Sequence, residues 1–104
     1  MNIFKILFSK EPAPDLKPLI DAGAILLDVR TVGEFAAGHV PNSINIPLDQ
    51  LQQRLPKLSK SSVIIVFCQS GGRSRVAKSL LEQYGFTGVV NGESWRQVQK
   101  CMER

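Results

Sequence analysis

The sequence predicts an α/β domain in which helices cover both faces of a mainly parallel β-sheet. Two segments, residues 24–29 and 62–67, are apolar at nearly every position instead of alternating between apolar and polar residues. Continuous apolar runs are typical of strands that are buried on both faces, as in a parallel sheet. Segments with helical periodicity separate these runs from two further strand candidates, and such alternation of strands and helices indicates an α/β fold.

The chain of 104 residues is long enough for one hydrophobic core but not for two. We therefore predict a single domain over residues 15–104, preceded by a segment over residues 1–14 that contains Pro12 and Pro14. Four apolar residues of this segment would share one helical face: Ile3, Phe4, Leu7 and Phe8. We expect the segment to pack on the domain through that face.

The predicted elements follow one another without a linker. Asp15 is the expected cap of a short helix over residues 16–22, which Gly23 ends. Strands are predicted over residues 24–29, 43–46, 62–67 and 88–91. Helices are predicted over residues 32–37, 48–55 and 73–84, and over a last segment with Trp95, Val98 and Met102 on one face.

The helix predicted over residues 73–84 has the clearest amphipathic pattern. Its expected buried face consists of Val76, Ala77, Leu80, Leu81 and Tyr84. Gly85 suits the position just beyond the end of this helix, where glycine is preferred.

Composition argues against several classes of function. The formal net charge is +4, but lysine and arginine are scattered and only residues 73–78 concentrate them, so the chain lacks a nucleic-acid-binding pattern. The positive net charge indicates only a mild preference for anionic ligands. Because Lys5 interrupts a short N-terminal apolar run and no stretch reaches about 20 apolar residues, we predict no signal peptide, no membrane span and a cytoplasmic location.

Two cysteines, Cys68 and Cys101, and one histidine, His39, are present. A domain with a sufficient core needs no disulfide, and these three residues without a Cys-x-x-Cys spacing do not form a zinc site, so we expect no metal and no cofactor. Cys101 is expected to be incidental, and His39 to make a structural hydrogen bond.

The most informative segment begins where the strand over residues 62–67 ends. Cys68 is followed by a glycine-rich turn and then by the start of a helix. Backbone N–H groups of such a turn can point inward and bind an anion, and the N-terminus of the helix adds positive potential. Free cysteine has a pKa near 8.5, and helix N-termini and cations lower it, so Cys68 is predicted to be a nucleophile that needs no histidine base. The expected substrate-binding residues are Gln69, Ser70, Gly71, Gly72, Arg73 and Ser74.

This turn and three earlier segments resemble, in order and spacing, the signatures of the rhodanese family: Leu27-Asp28-Val29-Arg30 with Glu34-Phe35, Gly38-His39-Val40-Pro41, Ile44-Asn45-Ile46-Pro47-Leu48, and Cys68 to Ser74. The resemblance extends over nearly all of residues 24–95. It implies a single-domain sulfurtransferase with a five-stranded parallel sheet. It also implies a small anionic sulfur donor, such as thiosulfate, and a persulfide on Cys68 that is passed to cyanide or a thiol.

The remaining charged residues of these segments are interpreted as supports. Asp28, Arg30 and Glu34 are expected to form a charged brace instead of reacting. Arg73 would either attract the dianionic donor or pair with Asp28, and we favour the pairing. The chain departs from the family pattern at Asn42-Ser43, and its approach to Trp95 is shortened, so the rim of the pocket is expected to differ from that of the family.

Two alternative functions fit the same nucleophile. Cysteine phosphatases and arsenate reductases also hold a thiolate in a ring of amides, but by resemblance they place five residues between cysteine and arginine, whereas four lie between Cys68 and Arg73. The other alternative is a binding module that relays sulfur only with a protein partner. Such a partner would dock on a basic rim formed by Arg73, Arg75 and Lys78.

Overall fold

The computed structural model describes residues 15–104, which alternate helices with strands as the sequence predicts. The strands are β1 (Ile25–Asp28), β2 (Ile44–Asn45), β3 (Val63–Cys68) and β4 (Gly88–Ser94). The helices are α1 (Lys17–Asp21), α2 (Val32–Ala37), α3 (Leu48–Arg54), α4 (Gly72–Gln83) and α5 (Trp95–Met102), and a 3-10 turn (Leu55–Lys57) follows α3. The predicted N-terminal segment lies outside the described residues.

The sheet is parallel throughout and has the strand order β2-β1-β3-β4. Leu27 of β1 is paired with Ile44 on one side and with Val66 on the other. The predicted α/β class and the parallel arrangement are confirmed, but the expected five strands are wrong for the part of the chain that is described, where the sheet has four. Among the described residues that precede β1, Lys17–Asp21 form α1, whose first turn contains Pro18, and none forms an additional strand.

Each face of the sheet is covered by its own apolar cluster. Along β3, Ile64 and Val66 point into a cluster that includes Leu51 of α3 and Leu81 of α4. The alternate residues Ile65 and Phe67 point into a second cluster, completed by Leu16 and by Val98 of α5. Because successive side chains of a strand point to opposite faces, a strand that serves both clusters must be apolar at every position.

Helix α4 buries a narrower face than its periodicity predicts. Ser74, Ala77 and Leu81 are buried against the sheet, whereas Val76 and Tyr84 are 56% and 41% exposed. The prediction that the last two are buried is therefore wrong. The sheet covers only the positions of α4 that face it, which recur every three or four residues. The apolar residues next to these positions remain exposed to solvent.

Strand β4 extends three residues beyond its predicted end because it contains a bulge. The register shifts between Val66 and Phe67 of β3, so that Gly92 is an extra residue on β4, and Glu93 has a positive φ of 69°. A Cβ atom on Gly92 would lie 2.8 Å from Ile65 and 2.9 Å from Val98, so the bulge requires glycine here. The bulge carries β4 to Ser94, where α5 begins directly.

Within residues 15–104, no helix is long and apolar enough to cross a membrane.

Candidate active site

Cys68 is the last residue of β3, at the carboxyl edge of the sheet, and the turn that follows it leads directly into α4. Ligands of open parallel sheets bind beyond this edge. Cys68 belongs to the same apolar cluster as Val66 and Ala77, and it is only 1% exposed. Its sulfur therefore lies between apolar packing and the polar backbone of the turn.

The turn presents backbone amides to the sulfur. The backbone N–H of Gly71 donates a hydrogen bond to Sγ of Cys68 at an N···S distance of 3.1 Å. Gly71 is buried and has a φ of 107°, a conformation that residues with a Cβ atom rarely adopt. Gly72, by contrast, has open space around a Cβ position and no positive φ, so of the two glycines only Gly71 has a backbone angle that favours glycine.

The pKa of the Cys68 thiol reflects two opposing effects. Burial raises it, because a buried anion loses its hydration. Hydrogen bonds from the hydroxyl of Ser74 and from the backbone amides of Ser74, Gly71 and Ser70 outweigh burial, so the pKa lies below its ordinary value. The geometry therefore favours the thiolate, which is the nucleophilic form.

Ser74 connects the cysteine to the bulge of β4. Its Oγ lies 3.6 Å from Sγ of Cys68, 2.8 Å from Oδ1 of Asn91 and 3.0 Å from the carbonyl oxygen of Gly71. Oδ1 of Asn91 also accepts the backbone N–H of Glu93 at 2.9 Å, so Ser74 must be the donor to Asn91. Since a hydroxyl has one hydrogen, the thiolate competes with Asn91 and Gly71 for it.

Arg73 is engaged by a carboxylate, but its partner differs from the predicted one. Its guanidinium donates to Oε1 and Oε2 of Glu34 at 2.6 and 2.9 Å, and the expected pairing with Asp28 is wrong. The Arg73 hydrogen bond, together with the backbone N–H of Thr31, lowers the pKa of Glu34 from 4.5 to about 2. Glu34 lies in the first turn of α2, where Thr31 and Glu34 cap the helix reciprocally. The pair therefore ties α2 to the start of α4.

Asp28 instead forms a buried ion pair with Arg30. Nη2 of Arg30 lies 2.7 Å from Oδ2 of Asp28, and the two side chains are 2% and 0% exposed. The same nitrogen donates to the carbonyl oxygen of Gly38 at 2.7 Å. The predicted charged brace thus consists of two separate pairs, Asp28–Arg30 inside the domain and Glu34–Arg73 at its surface.

Trp95, the first residue of α5, lies beside the turn. Its Nε1 donates to Oε1 of Gln69 at 3.3 Å, and its ring centroid lies 4.8 Å from the guanidinium carbon of Arg30. The guanidinium carbon of exposed Arg96 lies 4.9 Å from the same centroid. The indole therefore links the residue next to the nucleophile with one buried and one exposed arginine.

The structure brings most of the predicted site residues together. The loop from Cys68 to Ser74 surrounds the sulfur, with Gln69 and Ser70 exposed at its tip. His39 lies outside this group: its Nδ1 is 2.9 Å from the carbonyl oxygen of Phe35, whose ring it stacks on, which is the structural role expected for it. Cys101 packs against the other face of the sheet.

Sequence reasoning did not identify Asn91 as a site residue. The signal that the sequence offers is a polar residue, Asn91, near the end of a predicted apolar strand. Its contact with Ser74 nevertheless depends on the pairing of β4 with β3, which the sequence pattern does not specify.

Comparisons with known proteins agree with this geometry. A model of the Rhodanese-like domain matches residues 12–94. The human protein thiosulfate:glutathione sulfurtransferase is 35% identical over 94 residues, which cover 75% of this chain and 81% of that protein. The putative sulfur carrier protein YrkF of Bacillus subtilis is 34% identical over 71 residues, which cover 68% of this chain but only 38% of YrkF. This chain therefore corresponds to little more than a third of YrkF.

Among solved structures, the human single-domain sulfurtransferase TSTD1 superposes with a TM-score of 0.73. It is 29% identical, and the match covers 86% of this chain and 96% of TSTD1.

Proposed function

Because the chain belongs to the Rhodanese-like domain family, we propose that it moves sulfane sulfur from thiosulfate or a similar donor to a thiophile through a persulfide on Cys68. The observation that carries this proposal is the hydrogen bond from the Gly71 amide to Sγ of Cys68, at the end of a buried parallel strand. An amide in this position stabilises an anion on sulfur in both the resting and the loaded enzyme.

The first half-reaction begins with the Cys68 thiolate. It attacks the outer sulfur of thiosulfate, the S–S bond of the donor breaks, and sulfite leaves with the electron pair. The product is Cys68 with one additional sulfur, which carries the negative charge. In the second half-reaction, an acceptor thiolate attacks that outer sulfur, a new S–S bond forms on the acceptor, and the Cys68 thiolate is released.

Access to the sulfur requires a movement of the turn, because Cys68 is 1% exposed. The exposed part of the turn consists of Gln69 and Ser70, and the Gln69 side chain is held by a single 3.3 Å bond to Trp95. We propose that the donor enters beside these two residues. The backbone of Gly71, which is buried, stays in place during this step.

Intact-protein mass spectrometry after incubation with thiosulfate tests the proposal. The wild-type protein is expected to gain the mass of one sulfur atom and to lose it when cyanide or a thiol is added. Cys68→Ser should abolish the gain, and the control variant Cys101→Ser should retain it. Addition that depends on Cys101, or no addition to the wild type, would refute the proposed function.

A relay of sulfur between proteins is the second candidate, favoured by the similarity to YrkF and by the burial of Cys68. In that case a persulfidated protein would load Cys68 much faster than thiosulfate does. The predicted basic rim gives limited support to docking, because Arg73 is paired with Glu34 and Lys78 with Glu82. Comparing the loading rates from thiosulfate and from a persulfidated cysteine desulfurase distinguishes the two candidates.

A further inference from the structure

The arginines of the predicted site offer little free positive charge to a sulfur donor. Arg73 donates to both carboxylate oxygens of Glu34, and Arg30 is buried with Asp28. Each guanidinium is therefore neutralised at short range by its own carboxylate. The charge that an approaching donor meets beside Cys68 thus depends on exposed groups next to the turn that have no such partner.

Glu93, in the bulge of β4, is such a group. It is exposed, and within residues 15–104 its carboxylate forms no ion pair. A Cβ atom built on Gly71 would lie 3.6 Å from Cβ and 3.9 Å from Cγ of Glu93. The aliphatic part of the Glu93 side chain therefore lies against the residue whose amide binds Sγ of Cys68. This contact places the carboxylate beside the turn.

Hydrogen bonds hold the backbone of Glu93 close to the sulfur. Its N–H donates to Oδ1 of Asn91 at 2.9 Å, and its carbonyl oxygen lies 3.4 Å from Oγ of Ser74. The same hydroxyl lies 3.6 Å from Sγ of Cys68. Glu93 cannot move away from the site without disturbing this network, so its negative charge stays near Cys68.

The conformation of Glu93 indicates that its side chain does not serve the backbone. Its φ of 69° is uncommon for a residue with a Cβ atom, and glycine would adopt it without strain. Residues held in such conformations are concentrated at functional sites. Because the side chain is exposed and belongs to neither apolar cluster, its carboxylate is the part to which a function can be assigned.

We propose that Glu93 determines which sulfur donors react with Cys68, by repelling them in proportion to their negative charge. A doubly charged donor such as thiosulfate is repelled twice as strongly as a singly charged one, because the Coulomb energy is proportional to the charge. The site therefore favours singly charged or neutral donors, in which an organic group replaces a charged oxygen. This inference rests on the proposed function, and it adds the charge of the preferred donor and a residue that determines specificity.

Two donors with the same outer sulfur separate the effect of charge from that of chemistry. Methanethiosulfonate differs from thiosulfate in that a methyl group replaces one charged oxygen. The Cys68 thiolate attacks its outer sulfur, the S–S bond breaks, and methanesulfinate leaves with the electron pair. Both donors react with the same thiolate, so the ratio of their loading rates, followed by mass spectrometry, does not depend on how much of Cys68 is ionised.

Glu93→Gln keeps the length of the side chain and removes only the charge. The ratio of thiosulfate loading to methanethiosulfonate loading should rise by about 1.5- to 2-fold. Glu93→Lys changes the charge by two units, so it should raise the ratio by the square of that factor. Raising the salt concentration should increase the ratio more in the wild type than in Glu93→Gln. The control Glu103→Gln removes an exposed carboxylate just beyond the last residue of α5 and should leave the ratio unchanged.

Arg96 provides a comparison of opposite sign. It is exposed, and it is connected to the turn through Trp95, whose Nε1 donates to Gln69. Since a cation attracts anionic donors, Arg96→Gln should lower the ratio that Glu93→Gln raises. A rise in both variants would show that the ratio does not follow the charge, and it would overturn the inference.

A reaction without sulfur transfer measures the same repulsion. Iodoacetate and iodoacetamide both alkylate the Cys68 thiolate with loss of iodide, but only iodoacetate is charged. Glu93→Gln should raise the rate with iodoacetate relative to that with iodoacetamide by about 1.5- to 2-fold. Glu103→Gln should leave this second ratio unchanged.

The outcomes separate this inference from the proposed function. A donor ratio that is the same in the wild type, Glu93→Gln and Glu93→Lys would overturn selection by charge even if both donors load Cys68 normally. An unchanged ratio of the two alkylation rates would also overturn it. Failure of the wild type to gain sulfur from either donor would refute the proposed function, whereas alkylation would still decide whether Glu93 repels anions from Cys68.

Discussion

At the scale of single residues, the site depends on a balance around one sulfur atom. Burial opposes charge on Cys68, and the amide of Gly71 and the hydroxyl of Ser74 favour it. The amide is fixed by the backbone, whereas the hydroxyl can turn between the sulfur and Oδ1 of Asn91. Ser74 is therefore the residue through which β4 influences the reactivity of the cysteine.

Ser74→Ala is expected to raise the pKa of Cys68, because the thiolate loses its only side-chain hydrogen-bond donor among the described residues. Alkylation by iodoacetamide should slow by up to about tenfold at pH 7, and the rate at high pH, where every thiol is ionised, should not change. The measurement is the alkylation rate as a function of pH. In the wild type that rate should remain fast well below pH 8.

Two further variants check this prediction. Ser79→Ala removes an exposed hydroxyl from the same helix and should leave the pH profile unchanged. Asn91→Asp keeps an acceptor for Ser74 but adds a negative charge near the sulfur, so it should also raise the pKa of Cys68. If all three profiles coincide with that of the wild type, Ser74 does not tune the thiolate.

Sequence reasoning identified site residues that are consecutive in the chain. It missed contacts between residues that are far apart in the chain. Cys68 and the amides of its turn are consecutive, so a strand followed by glycines and a helix was sufficient to predict them. The partner of Arg73 is 39 residues away and the partner of Ser74 is 17 residues away. The predicted partner of Arg73, Asp28, ends a neighbouring strand, but its carboxylate is already occupied by Arg30.

At the scale of elements, the position of α4 relative to α2 is held by the pair between Arg73 and Glu34. Because this pair, together with hydrogen bonds from Thr31, depresses the pKa of Glu34 from 4.5 to about 2, the stabilisation by the Glu34 carboxylate is complete above pH 4.5. The contribution decreases as the pH falls below that value and disappears as the pH falls through about 2. The pair is only partly buried, so its stabilisation is modest.

Glu34→Gln tests this contribution, because glutamine keeps the capping box with Thr31 and removes only the charge. At pH 7 we expect the Tm to fall by about 2 to 5 °C, as for an exposed pair in a domain of this size. The difference from the wild type should shrink between pH 4.5 and pH 2, as measured by circular dichroism. Glu82→Gln, which removes a carboxylate from the exposed pair with Lys78, serves as the control and should have a smaller effect. A difference in Tm that does not depend on pH would contradict the assignment.

Element types were predicted more reliably than element ends and faces. The two strands in the interior of the sheet, β1 and β3, are apolar at nearly every position, which the sequence displays directly. The bulge in β4 left no comparable signal, since Gly92 alone is equally compatible with a turn. Its cause is the contact of Gly92 with Ile65 and Val98, which only the packed sheet and α5 create.

At the scale of the whole molecule, the buried pair of Asp28 and Arg30 joins parts that are distant in sequence. Asp28 ends β1, Arg30 donates to Gly38 beyond α2, and its guanidinium lies against Trp95 of α5. Asn45 of β2 donates to the carbonyl oxygens of both residues. Within residues 15–104, no buried side-chain nitrogen or oxygen lacks a hydrogen-bond partner. A change in this pair should therefore affect the entire domain.

Asp28→Asn is expected to lower the free energy of unfolding by about 3 to 5 kcal/mol, because it leaves the charge of Arg30 buried without a counterion. That loss is a large fraction of the 5 to 15 kcal/mol typical of a small domain. Urea unfolding followed by Trp95 fluorescence and by circular dichroism measures it, and both transitions should shift together. The double variant Asp28→Leu, Arg30→Met should lose less than the sum of its single variants, since neither charge remains. If only the fluorescence transition moved, the pair would stabilise the surroundings of Trp95 alone, and the fold would not depend on it.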